Sequence, residues 1–315
     1  MIECYHIVDK KLQKLDRAEP GCWINIHPPI APGEIEQFAE QMEIELDFLM
    51  DSLDTDERSR YEKEEDVRLI LVNAPTLNNS APENESLYLT IPIGIVLTPD
   101  NVVTISSHKE TVLNRFLDMK VKNFDPNNQQ KFVLLIFEQI VRDYLHCLKL
   151  LNQKRNIIEK ELYDSSRNQE LRRLLSIEKS LVYFVNSLSA NDLLKLKMKR
   201  TDFLEIRNDE VLTDLFEDII IDNGQALEMS NVYTNILNGT MEAYASIISN
   251  NLNMVIQRLT LVTIILMVPT LVASLYGMNV PLPFKNSEYA FYFIIIFSVA
   301  ISLFLAWFFR KRRLF

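Results

Sequence analysis

The sequence predicts a mixed α+β membrane protein. An N-terminal α/β domain is followed by a helical hairpin and a very long stalk helix that continues into the first of two C-terminal transmembrane helices. Three observations predict it. Residues 259–276 and 289–309 contain no charged side chain. Nine of the twelve prolines fall within residues 1–126 and none lies between Pro126 and Pro269, as expected where a chain is helical almost throughout. Residues 208–257 hold eight carboxylates and no Lys or Arg, and run without a helix breaker into the first apolar stretch.

The 315 residues are enough for more than one domain. Residues 1–126 are expected to form a cytoplasmic α/β domain. Short β-type runs at 67–72 and 93–97 are joined by the turn signal Pro99-Asp100-Asn101, and residues 33–53 read as helical. The opening Met-Ile-Glu-Cys-Tyr lacks the basic and apolar regions of a signal peptide. Cys4, Cys22 and Cys147 form no C-x-x-C pair, and the four histidines are scattered, so neither a disulfide framework nor a thiolate metal site is expected.

Residues 127–202 are expected as an antiparallel helical hairpin broken by the polar stretch 163–169. Phe132, Leu135, Phe137, Ile140, Tyr144, Leu148 and Leu151 recur at helical spacing, a stripe that reads as core packing.

Residues 203–276 form the stalk, with the first span at about 256–276. A continuous helix from about 207 to 276 extends roughly 100 Å, far beyond ordinary globular helices. Gly224 and Gly239 lower its propensity without ending it. Asp214, Asp218 and Asp222 recur every four residues on one face and repel one another. A bound cation relieves such repulsion, and carboxylates suit Mg²⁺ or Ca²⁺ over softer metals. The competing reading is a plain solvated acidic face.

The second span, 289–309, is apolar on every side and covers about 31 Å as a helix, enough for the hydrocarbon core. Tyr289, Tyr292, Trp307, Phe308 and Phe309 sit near its ends, at headgroup level. The tail 310–315 begins Arg310-Lys311-Arg312-Arg313, which marks the cytoplasmic side. Both termini are then cytoplasmic, in a cell membrane, and residues 277–288 are the external loop, carrying Tyr276-Gly277-Met278-Asn279 at its start.

One face of the first span reads Asn253, Ile256, Leu259 or Thr260, Thr263, Met267, Thr270, Ser274 and Gly277. The spacing averages near 3.5, as in a helix packed against copies of itself. Small polar residues alternating with Leu and Met suit a wet passage with polar rings and apolar constrictions. The same residues also permit close packing of spans. A single such helix cannot enclose a pore, so a ring of identical subunits is required.

The Tyr276-Gly277-Met278-Asn279 motif after a long helix, a second span and a basic tail together resemble the CorA family of divalent-cation transporters. Upstream, residues 57–62 resemble the family's segment between its first helix and a central strand, and 93–105 resemble the hairpin that follows. The resemblance covers nearly the whole chain. It implies a homopentamer with Mg²⁺ as transported and regulatory ion, and Co²⁺ and Ni²⁺ as further candidate cargo. It implies a selectivity filter at Gly277, Met278 and Asn279, whose carboxamides bond the ion's water shell. Asn253 and Thr270 become polar rings, and Leu259 and Met267 the constriction. Regulatory Mg²⁺ is implied between subunits at Asp218, with Asp51 as the partner acid (Asp47 being the alternative) and Asp214 and Asp222 alongside. The chain departs from the family in its uncharged Val280-Pro281-Leu282-Pro283 and in Pro269, one residue later than usual.

A zinc transporter of a related branch and a non-conducting, membrane-anchored metal sensor are the alternatives. An enzyme is not expected: the chain has no phosphate-cradling Gly-rich loop, no H-E-x-x-H and no nucleophile arrangement. No nucleotide is expected, so the ion gradient and membrane potential are the driving force. The chain carries −10 overall while residues 259–315 carry five positive charges and one negative, or +4, which leaves −14 on the rest. That acidity attracts cations and argues against nucleic acid as a partner.

Overall fold

The computed structural model describes residues 1–8, 11–78, 85–109, 112–164, 168–278 and 289–312. They divide into two compact units, Met1–Thr240 and Met241–Phe315.

The first unit is built on a seven-stranded sheet of order β2-β1-β3-β7-β6-β5-β4. Its strands are β1 (Ile2–Val8), β2 (Lys11–Leu15), β3 (Trp23–Ile26), β4 (Arg60–Glu64), β5 (Val67–Leu77), β6 (Tyr88–Leu97) and β7 (Val102–Ser106). β3 and β7 pair in parallel, and every other neighbouring pair is antiparallel. The β6–β7 hairpin closes where the sequence places its turn. Thr98 N–H donates to Asn101 O at 3.0 Å, and Asn101 N–H donates to Thr98 Oγ1 at 2.9 Å.

Successive strand residues point to opposite faces, and both faces of the central strands are covered. Leu69, Leu71, Val96, Val103 and Ile105 join one core with Phe38, Phe48 and Leu49 from α1 (Glu34–Met42) and α2 (Leu46–Asp51). On the other face Tyr144 of α4 (Gln129–Asp164) donates its hydroxyl to Asn73 O at 3.1 Å. Burial on both faces explains why β5 reads as a continuous apolar run. Trp23 stands edge-on to Phe116, Phe124 and Phe132, joining α3 (Asn114–Leu117) and the start of α4 to the sheet.

All seven stripe residues of α4, from Phe132 to Leu151, are buried. The same helix also buries Val133, Leu134, Ile136 and Val141, so its first turns are enclosed on every side. α5 (Asn168–Thr201) runs back as the second arm of the hairpin. Part of the polar break at 163–169 lies outside the described residues.

One reading changes. Residues 33–53 form two helices, because Glu43 takes a left-handed φ of 54° and closes α1 through N–H bonds to Ala39 O and Glu40 O. The break turns Ile44 into the core. Residues 57–62 stand between the helices and β5, and 60–62 already belong to the edge strand β4.

α6 (Glu210–Tyr276) is one helix of 67 residues containing Pro269. Asp209 caps it, accepting from Leu212 N–H at 3.0 Å. α7 (Ala290–Lys311) is the last helix. α6 and α7 carry stretches of mean hydropathy 2.1 and 2.4, and only 6% of either stretch is buried. A soluble core helix would be mostly covered. Each is long and apolar enough to cross a membrane.

Candidate functional site

The candidate pathway face can be located against α7. On α6, Leu261 is buried and Ile265, Val268, Pro269, Val272 and Tyr276 are half-buried. Ile265 O accepts from Ser302 Oγ of α7 at 3.2 Å. At about 100° per residue, Asn253, Ile256, Leu259, Thr263, Met267, Thr270 and Ser274 fall on the side opposite Ile265. All seven are exposed in the single chain, Leu259 at 66% and Met267 at 63%. The first span thus has one face for α7 and another left open.

The hydroxyls on the open face have a definite polarity. Thr263 Oγ1 donates to Leu259 O at 2.8 Å, and Thr270 Oγ1 donates to Leu266 O at 2.9 Å. Each hydroxyl hydrogen is committed to its own helix, so the oxygen presents only lone pairs outward. The helix ends in a turn in which Gly277 N–H donates to Ala273 O at 3.0 Å and Met278 N–H to Leu275 O at 3.2 Å. Asn279 and the rest of the expected loop, to residue 288, lie outside the described residues.

Asp214, Asp218 and Asp222 are all exposed on α6. Among the described residues none has an ion-pair partner, whereas Glu217 is held by Lys199 of α5 at 2.6 Å. Asp51, at the end of α2, accepts from Arg60 at 2.5 Å, and Arg60 also holds Glu57 and Glu62. Asp51 is therefore not a bare carboxylate. Among the described residues no group of three or more His, Cys, Asp or Glu gathers as a metal site within one chain.

Two features escape the sequence. A side-chain hydrogen bond with Glu64 holds the Glu45 carboxyl above its ordinary value, and the like charges of Glu64, Asp47 and Glu62 add to it. Lys195 of α5 is fully buried and donates to Asn223 Oδ1 of α6 at 2.7 Å, with its ammonium 5.5 Å from the Phe137 ring centroid. A lysine on a helix ordinarily reads as solvent-facing. Its one early signal is the apolar spacing of Leu188, Leu194 and Met198 around it.

A family model described as "CorA-like Mg²⁺ transporter protein" matches residues 19–311. The chain is similar to a cobalt/magnesium transport protein CorA of Methanocaldococcus jannaschii, with 28% identity over 311 residues, 97% of this chain and 95% of the relative. It is also similar to the corresponding protein of Thermotoga maritima, 21% identical over 97% of this chain and 86% of that one. The complete structure of the CorA magnesium transporter from Methanocaldococcus jannaschii matches with a TM-score of 0.84 at 25% identity, covering 99% of this chain and 98% of that chain.

Proposed function

The chain belongs to the CorA family of Mg²⁺ transporters, and from that premise we propose that it is a homopentameric Mg²⁺ channel of the cell membrane, with both termini cytoplasmic. The observation that carries the reading is the open face of α6, which holds alternating polar and apolar residues opposite the contact with α7. Copies of that face turned toward a common axis enclose a passage. Asn253 and Thr270 form polar rings, and Leu259 and Met267 a constriction that closes by dewetting. Ile256, Thr263 and Ser274 line the intervals.

Gly277, Met278 and Asn279 form the filter. A ring of Asn279 carboxamides bonds the hydrated ion without stripping it, which suits Mg²⁺ because it dehydrates reluctantly. Co²⁺ and Ni²⁺ are further candidate cargo. The membrane potential supplies about 2.3 kcal/mol per charge per 100 mV, so the channel needs no catalytic step.

Closure follows from Mg²⁺ between neighbouring subunits, where Asp218, flanked by Asp214 and Asp222, meets Asp51. The exposure of the three α6 acids and the absence of an ion-pair partner for them among the described residues support this placement. At Asp51 the ion must displace Arg60, so its hold there is weakened by competition.

Mg²⁺ uptake by liposomes holding the purified protein tests the function, beside Asn279→Ala and with Zn²⁺ and Co²⁺ as competitors. Mg²⁺-preferring flux that depends on Asn279 is the expected result. Flux of Zn²⁺ alone moves the protein to the zinc branch, and no flux at low internal Mg²⁺ sinks the pore.

A further inference from the structure

Pro269 lies inside α6. Proline has no N–H, so the carbonyl four residues earlier, Ile265 O, loses its ordinary helical partner, and the ring crowds that oxygen as well. Within hydrocarbon no water substitutes for the lost donor, and the group must be satisfied by protein. Ser302, in the middle of α7, donates its hydroxyl to this same carbonyl at 3.2 Å. Neighbouring hydroxyls behave differently. Thr263 and Thr270 donate to carbonyls of α6 itself, and Ser298 donates to Ile295 O of α7. A serine of one span thus meets the carbonyl released by a proline of the other.

We propose that Ser302 is a positioning residue for ion passage: its hydroxyl takes over the Ile265 carbonyl and ties the Pro269 turn of α6 to the second span. The inference rests on reading α6 as the pore helix. Ile265 and Pro269 face α7, while Met267 and Thr270 lie on the opposite side of the same turn. Any shift of the tied side moves the constriction residue by a comparable amount. One hydrogen bond of ordinary net strength biases two settings of a helix by about fivefold, enough to set an open–closed balance without fixing it.

The prediction concerns coupling, because restoring an N–H at position 269 makes the Ser302 bond dispensable. Ser302→Ala, Pro269→Ala, the double variant and Ser302→Thr are made in the full-length protein. Amide hydrogen exchange over residues 266–276 is followed in detergent, and Mg²⁺ flux in liposomes. Ser302→Ala is expected to raise exchange about fivefold in the Pro269 background and leave it unchanged in the Pro269→Ala background. Ser302→Thr keeps the hydroxyl and stays near wild type. Mg²⁺ flux is expected to follow the same pattern across the four variants. Equal effects of Ser302→Ala in both backgrounds, or none in either, overturn the tie. Coupled exchange with unchanged flux through a conducting channel overturns its part in transport. Failure of the wild type to conduct counts against the transport reading instead, and exchange still decides whether the tie exists.

Discussion

Lys195 and Asn223 meet through a 2.7 Å hydrogen bond, both fully buried between α5 and α6. Asn223 also donates to Leu188 O at 3.1 Å, so its amide spans about two turns of α5. One turn away Asn191 accepts from Ser59 Oγ at 2.7 Å and from Asn73 N–H at 3.0 Å. This turn of α5 therefore fastens the long helix on one side and the sheet on the other. Asn223 immediately follows Asp222, so the fastening adjoins the last of the acids proposed to bind Mg²⁺.

Burial pushes the Lys195 ammonium down to about 7, while Asp192 nearby partly offsets the shift. The folded chain sheds this proton near pH 7, whereas the unfolded chain keeps it to about 10.5. Across that window the unfolded state binds more protons, so stability rises with pH and is lowest below about 7. Denaturant titrations of the full-length protein at pH 6 to 9 should show this rise. Lys195→Met should flatten it. Asn223→Leu, which leaves the lysine buried without its acceptor, should cost about 1–3 kcal/mol.

Gly94 of β6 lies against the end of α2. A Cβ there would stand 1.9 Å from Ser52 Oγ and 2.7 Å from Ile105 Cγ2. Ser52 is fixed by its own bond to Phe48 O at 2.7 Å, and Ile105 is a fully buried sheet residue. Neither can yield cheaply. Gly94→Ala should cost about 1–3 kcal/mol by overpacking, measured by thermal unfolding. It should also raise the Mg²⁺ needed for closure, because Ser52 adjoins Asp51.

The parts of the fold legible in the sequence were those whose pattern is local and repeated. The α4 stripe, the β6–β7 turn and the two uncharged spans each declare themselves within a few residues. β1, β2 and β4 did not, because half-exposed strands near a sheet edge carry mixed polarity and no clean alternation. The break at Glu43 was hidden because nothing in the residue itself demands a left-handed φ. Of the candidate site, the α6 face was picked out by spacing and its roles by the family resemblance. The partners did not: Arg60 on Asp51, Asn223 on Lys195 and Ser302 on Ile265 each join elements that only the tertiary fold brings together.

The Arg60–Asp51 pair gives a prediction with two opposite signs. Arg60 holds Asp51 at 2.5 Å and competes with any cation for the carboxylate. Arg60→Gln should lower the internal Mg²⁺ that half-closes the channel. Asp51→Asn and Asp218→Asn should each raise it, by roughly tenfold for the loss of one charge-assisted contact of about 1.5 kcal/mol. Liposome flux over a series of internal Mg²⁺ concentrations distinguishes the three. If Asp51→Asn leaves the midpoint in place while Asp218→Asn moves it, the partner acid lies elsewhere, and the Glu45, Asp47, Glu62 and Glu64 edge is the next place to substitute.

Met267 supplies the sharpest test of closure by dewetting. Its side chain is 63% exposed on the open face, one helical turn from the lone pairs of Thr263 and Thr270. In a ring of subunits these thioethers would face one another across the axis, and a narrow apolar passage expels water and so blocks a hydrated ion. Met267→Ser should keep that stretch wet and leave a Mg²⁺ leak at internal concentrations that shut the wild type. Met267→Leu keeps the stretch apolar and should still close. A leak of equal size in both variants would point to lost packing rather than lost dewetting. Closure preserved in the serine variant would move the constriction to Leu259, where the same pair of substitutions can be repeated.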